Sequence, residues 1–285
     1  MIRIPRSSLR PVLAAVIVLA FVAGCARAGE LVTERRSVET EGAESVSADL
    51  SMSTGNMVVG GGAENLMDAT FTYNVPEWEP EVDYGGFGAE KELSVEQPDV
   101  TGPVLGGVRN DWEILLNDEV PLDLSAFNSS GDEEFDLGSL SLASFSVEAS
   151  SGDIEADLGG EKPLLEEVEV DSSSGDVGME MRGEYSSPVG LSVDLSSGDL
   201  ELDLGGRWEE DLDGEVNLSS GTATVTLPRE AGVYVEAETS SGDVNADGFR
   251  LEDGAYVNDA YEESEVTLTL SVESSSGDVN LQLAG

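Results

Sequence analysis

The sequence of 285 residues contains no histidine and a single cysteine, and its 13 Lys and Arg face 59 Asp and Glu. Each scarcity excludes something. Without histidine there is no imidazole base, proton shuttle or imidazole metal ligand. With Cys25 alone, no internal disulfide can form. The only lysines are Lys91 and Lys162, and the chain carries no clustered basic stretch. A phosphate backbone is bound by clustered Lys and Arg, so nucleic acid is excluded as a partner. There is no Gly-rich phosphate loop, no His/Cys metal spacing and no helix-period segment of useful length. Carboxylates are so numerous that no catalytic pair is singled out, and neither a catalytic residue nor a cofactor is assigned.

The start of the chain reads as an export signal. Arg3, Arg6 and Arg10 precede a charge-free run from Val12 to Ala23, followed by Gly24-Cys25. A basic segment, a short apolar run and small residues before the cut describe a secretory signal over 1–24, and the run is shorter than the ~20 residues of a membrane span. Val22-Ala23-Gly24-Cys25 resembles the lipobox of bacterial lipoproteins, which implies cleavage before Cys25, lipid on its sulfur and attachment to a membrane through that lipid. Residues 25–43 then read as the lipidated cysteine and a polar tether. Ala26, where an Asp would signal retention, leans by the same resemblance toward the outer membrane or cell surface.

The charge balance bears on habitat. Self-repulsion of 59 acids strains a compact domain in dilute buffer, whereas molar salt shortens the Debye length to about 3 Å. A halophile's protein is the expectation. Disorder is the alternative for so acidic a chain, and the arrangement of the apolar residues argues against it.

That arrangement is a repeat. Ser-Ser-Gly-Asp or a close variant is centred on Gly131, Gly152, Gly175, Gly198, Gly242 and Gly277, with Ser219-Ser220-Gly221-Thr222 and Ser53-Thr54-Gly55-Asn56 as looser copies. Around Gly198, Leu191, Val193 and Leu195 stand seven, five and three residues before it, and Leu200, Leu202 and Leu204 two, four and six after it. The other copies keep this alternation, which marks a half-buried strand on each side of the motif. The parity changes at the glycine, as a tight bend with Gly at positive φ allows. From Gly131 to Gly242 the glycines lie 21, 23, 23, 23 and 21 residues apart, and then 35. A fixed period in that range predicts stacked units that share one core. The expected fold is an all-β solenoid over 125–285 whose rungs each carry two main strands and a return segment. The stretch 44–124 interrupts the period and reads as an N-terminal capping β region, with Phe71, Tyr73, Trp78, Tyr84 and Trp112 as its core plugs.

A resemblance follows from particular residues. Ala48-Asp49-Leu50-Ser51-Met52-Ser53-Thr54-Gly55-Asn56, Phe71-Thr72-Tyr73-Asn74 with Trp78-Glu79-Pro80-Glu81-Val82, Asn110-Asp111-Trp112-Glu113, Pro121-Leu122-Asp123-Leu124 and Leu137 to Leu142 together resemble the toast-rack proteins of bacterial envelopes. The later rungs look like the related putative-adhesin repeats. Some members, of LiaF type, carry transmembrane helices and restrain a sensor kinase that responds to envelope stress. The resemblance implies an extracytoplasmic location.

Two sets of side chains are candidate sites. Stacked corners align Asp132, Asp153, Asp176, Asp199, Asp243 and Asp278 into one file, about 4.8 Å apart from rung to rung. Neighbouring charges there repel by roughly 0.9 kcal/mol even in bulk water. Backbone N–H groups, salt or bound cations can offset that; no metal site is assigned, and these six are the carboxylates that would hold one. Arg182, Arg207, Arg229 and Arg250 fall seven to nine residues after their glycines, and Lys162 ten after. They are the candidates for binding an anionic partner, the alternative being ion pairs with neighbouring acids. The reading is a non-enzymatic, lipid-anchored envelope protein that offers a rigid surface for adhesion, scaffolding or stress regulation to an envelope protein or polysaccharide. The alternative is a solenoid enzyme acting on polysaccharide.

Overall fold

A computed structural model describes residues 27–100 and 106–285. The expected signal segment and Cys25 with its lipid lie outside the described residues. Within them the repeat becomes a parallel β-solenoid. Each Gly motif joins a long strand to a short one, as in Val189–Leu195 and Leu200–Asp203. The long strands form a 12-stranded sheet and the short ones an 11-stranded sheet. Registers match from rung to rung, so that Val170 pairs with Val147 on one side and Val193 on the other. Glu161–Lys162, Glu184–Tyr185 and Arg207–Trp208 form a narrow third sheet, the return segment of the middle rungs. The alternating residues point where the period places them: Leu191, Val193, Leu195, Leu200, Leu202 and Leu204 are all at most 4% exposed. They belong to one continuous core cluster.

Both ends are built out of sequence order. At the start, Ser45–Met52 and Asn56–Gly60 form a rung beside Leu122–Asn128 and Glu133–Asp136. Glu90–Glu96 and Asn110–Leu116 make a further parallel rung on its outer side. Antiparallel strands then close the end: Glu81–Phe87 on the long face, and Met67–Tyr73 followed by Val32–Val38 on the short face. The 44–124 stretch thus shares both sheets with the repeats. Its aromatics fill the end, with Phe71 and Trp112 edge-to-face at 5.4 Å and Tyr73 and Trp78 also buried, while half-buried Tyr84 donates its hydroxyl to the Thr40 carbonyl.

The polar tether is shorter than expected, because Val32–Val38 is a strand paired along its whole length with Met67–Tyr73. Its composition misled: Val-Thr-Glu-Arg-Arg-Ser-Val carries charge on both faces. Glu34 and Arg36 pair with each other, and Arg36 also reaches Glu79. Paired charges on an edge strand discourage the addition of further strands.

At the other end the last rung does not follow the one before it. Thr267–Ser274 lies between Leu212–Leu218 and Gly232–Thr239, and Val279–Leu283 lies between Ala223–Leu227 and Val244–Asp247. The chain steps outward to the Gly242 rung, turns back through Arg250–Glu252 and Ala255–Val257, and lays the Gly277 rung into the space left behind. The spacing of 35 is the length of that detour. Asn258, 1% exposed, pins its return: it accepts from the Val233 and Tyr261 amides and donates to the Pro228 and Ala231 carbonyls.

Candidate functional site

The corner is where the repeated motif is needed. Gly131, Gly152, Gly175, Gly198 and Gly221 have φ between +127° and +131°, a conformation that L side chains rarely adopt. Stacking adds a second constraint. A Cβ on Gly175 would overlap the carbonyl oxygen of Gly152, and one on Gly198 that of Gly175. Each corner amide donates to the next rung, as Gly152 does to the Ser174 carbonyl at 3.1 Å and Gly175 to that of Ser197 at 3.2 Å.

The aspartates complete this ladder. The amides of Asp153, Asp176, Asp199 and Thr222 donate to Oδ1 of Asp132, Asp153, Asp176 and Asp199 at 3.2, 2.9, 2.8 and 2.8 Å. Asp132 donates in the same way to Asn56, and Asp243 to Asp278. The file therefore runs Asn56, Asp132, Asp153, Asp176, Asp199, Thr222, Asp278, Asp243, its last two members in reversed sequence order. Backbone N–H groups meet the carboxylates, and such charge-assisted bonds are among the stronger ones. Among the described residues no group of three or more acids, His or Cys is placed to hold a metal ion.

The arginines are not brought into one file. Arg182 pairs with Asp203 and Glu180, and Arg207 with Glu184 at 3.2 Å and Glu209 at 2.8 Å. Arg229 donates to the Ala284 carbonyl. Arg250 is carried away onto the edge strand of the long face, where it meets Glu252 and the Asn258 carbonyl. Lys162 points inward. It is fully buried and donates from Nζ to the carbonyls of Gly138 at 2.7 Å and Leu140 at 3.3 Å. Burial pulls its ammonium down to about 8, against the attraction of Asp157.

One buried acid was passed over in the sequence. Glu133 occupies the slot two after Gly131 that holds Ile154, Val177 and Leu200 in the following rungs. It is 2% exposed, and neither carboxyl oxygen has a hydrogen-bond partner. Nearby Asn128 pulls against the burial, but its amide hydrogens go to the carbonyls of Gly55 and Gly131. Burial dominates and pushes the Glu133 carboxyl up to about 8, with a small addition from Asp132. The alternation gave the signal, since the inward parity alone puts a carboxylate in the core.

A stack of parallel rungs, with antiparallel strands over its N-terminal end on both faces, defines a repetitive β-solenoid. The sequence model of the N-terminal domain of toast_rack, DUF2154, matches residues 27–179, and the chain belongs to the toast-rack family. Among solved structures, the fold is similar over 90% of this chain and all of the other to a "putative cell adhesion protein" from Clostridium sporogenes ATCC 15579, at 27% identity and a TM-score of 0.50. A "putative adhesin" from Bacteroides fragilis NCTC 9343 aligns over 90% of this chain and 99% of its own, at 11% identity and a TM-score of 0.46. No curated protein sequence matches the chain.

Proposed function

We propose that this protein is a lipid-anchored adhesion protein of the cell envelope, held by lipid on Cys25 and presenting the outward faces of its solenoid to another envelope component. The observation that carries this reading is the likeness, 27% identical over 90% of the chain, to the cell adhesion candidate of Clostridium sporogenes. The geometry agrees with it. The strands commit their inward residues to one core, which leaves the two broad faces as extended surfaces to meet a partner. Arg182, Arg207 and Arg250 are engaged with this chain's own acids and Arg229 with the Ala284 carbonyl, which favours the faces over the arginines as the contact surface.

The test is fractionation followed by adhesion. Cys25→Ser is expected to move the protein from the membrane to the soluble fraction, and beads coated with the described domain are expected to adhere to cells of the source organism. Unchanged membrane association of Cys25→Ser overturns the anchor, and beads that bind no better than albumin-coated ones overturn adhesion.

A further inference from the structure

The outward side of the long face is not uniformly charged, and one part of it is hollow. Two rows of side chains cross five rungs there. One runs Glu167, Gly190, Asp213, Thr269, Tyr234; the other runs Glu169, Ser192, Glu215, Ser271, Glu236. Gly190 contributes no side chain, and Ser192, Thr269 and Ser271 in the same rows are small, so the rows enclose an open trough of about 610 Å³ whose floor is the strand backbone at Val168, Leu191 and Leu270, the side chains of these three being turned inward to the core. No lysine or arginine lines it, and Glu167, Asp213, Glu215 and Glu236 stand around it. At one end the Tyr234 ring lies 5.6 Å from that of Tyr261, and its hydroxyl donates to Glu236 at 3.0 Å.

We propose that this trough binds a polysaccharide bearing free amino groups. The inference rests on the adhesion reading and names the chemistry of its partner. The Tyr234 ring at its end suits the C–H face of a sugar ring, and the peptide backbone of the floor is flat enough to be approached by one. An ammonium group over a tyrosine face gains cation–π attraction, and carboxylates without a cation of their own form charge-assisted bonds with amines and accept from hydroxyls. Acidic glycans are repelled by the same four carboxylates. The rungs repeat every ~4.8 Å, close to the length of one pyranose unit, so a chain lying across the strands meets equivalent positions ring after ring.

Gly190 makes the idea testable without damage to the fold. Its φ is not positive, and a Cβ there would meet only the Glu166 carbonyl oxygen at 3.7 Å, an ordinary contact. Gly190→Gln therefore fills the trough from outside, and Tyr234→Ala removes its wall. The probe is a glucosamine hexamer, titrated by calorimetry in about 1 M KCl, where the Debye length is about 3 Å and diffuse attraction to an acidic surface is suppressed. Saturable binding is expected, weakened at least about tenfold by either variant with the melting temperature unchanged. Absence of saturable binding overturns the proposal. So does binding that both variants leave intact, which would mark general adhesion of a polycation, and so does equal binding of the fully N-acetylated hexamer, which would show that the amine is not read. Should coated beads still adhere to cells while the hexamer fails to bind, this inference falls and the adhesion reading stands.

Discussion

At the residue scale, the side chain most at odds with its surroundings is Glu133. Its carboxyl titrates near 8 in the folded protein against an ordinary 4.5. Below pH 4.5 it is protonated in both the folded and the unfolded chain. Between 4.5 and 8 the unfolded chain releases the proton and the folded one retains it, so stability falls as pH rises through that window. The full cost, present above 8, is on the order of 5 kcal/mol. Glu133→Ile supplies what the next rung has in that slot. The variant is expected to exceed the native protein in unfolding free energy by an amount that grows between pH 4 and 8.5. Paired urea titrations across that range measure it, and a difference independent of pH refutes it. Residues of this kind were within reach of the sequence, because parity about each glycine decides inside from outside, and Glu133 and Asn128 both fall on inward parity. Lys162 was not, since its burial depends on a third strand of only two residues, Glu161–Lys162, too short for alternation to register.

At the element scale, the motif announced each rung but could not say which rungs touch. Adjacency is settled by competition. The Gly242 rung and the Gly277 rung can each follow the Gly221 rung, and they differ in what they bury. The Gly242 rung offers Val233, Val235, Ala237, Thr239, Val244 and Ala246; the Gly277 rung offers Leu268, Leu270, Val272, Ser274, Val279 and Leu281. The larger set gains about 0.8 kcal/mol for each added buried CH2, and it takes the interior place. One contact fixes the choice. Gly214 stands in an inward slot, and a Cβ there would overlap the Leu270 side chain, so Leu270 fills the space that Gly214 leaves. Leu270→Ala opens a cavity that Gly214 cannot close, and the expected loss lies at the upper end of the ~2–5 kcal/mol range for such truncations. Chemical denaturation of the variant measures it. A loss below about 1 kcal/mol would mean that the pairing of Gly214 with Leu270 does not select the rung order. The same detour explains why Arg250, placed by spacing with the other arginines, ends on the edge strand of the long-strand sheet, away from them.

At the scale of the whole molecule, the consequence of stacking is that like charges are stacked too. In-register pairing aligns Glu148, Asp171 and Asp194 on the long face, and Asp136, Asp157, Glu180 and Asp203 on the short one. Arg182 relieves only the end of the second row, through Asp203 and Glu180. Neighbours about 4.8 Å apart repel by roughly 0.9 kcal/mol in unscreened water. That repulsion is nearly intact at 0.01 M salt, where the Debye length is about 30 Å, and falls about fivefold at 1 M, where it is about 3 Å. With a formal net charge of −46, small terms summed over many rungs set the stability of a fold whose cohesion is local to each pair of neighbours. The melting temperature is therefore expected to rise steeply between 0.01 and about 1 M KCl and then to level off. The levelling distinguishes screening from the strengthening of apolar burial by excluded salts, which continues to grow with concentration. Thermal melts followed by circular dichroism over that series decide it. A midpoint that is flat at low salt, or that climbs linearly to saturation of the salt, would show that the acid rows are not what limits the folded state. The expectation of a halophile's protein would then lose its physical basis.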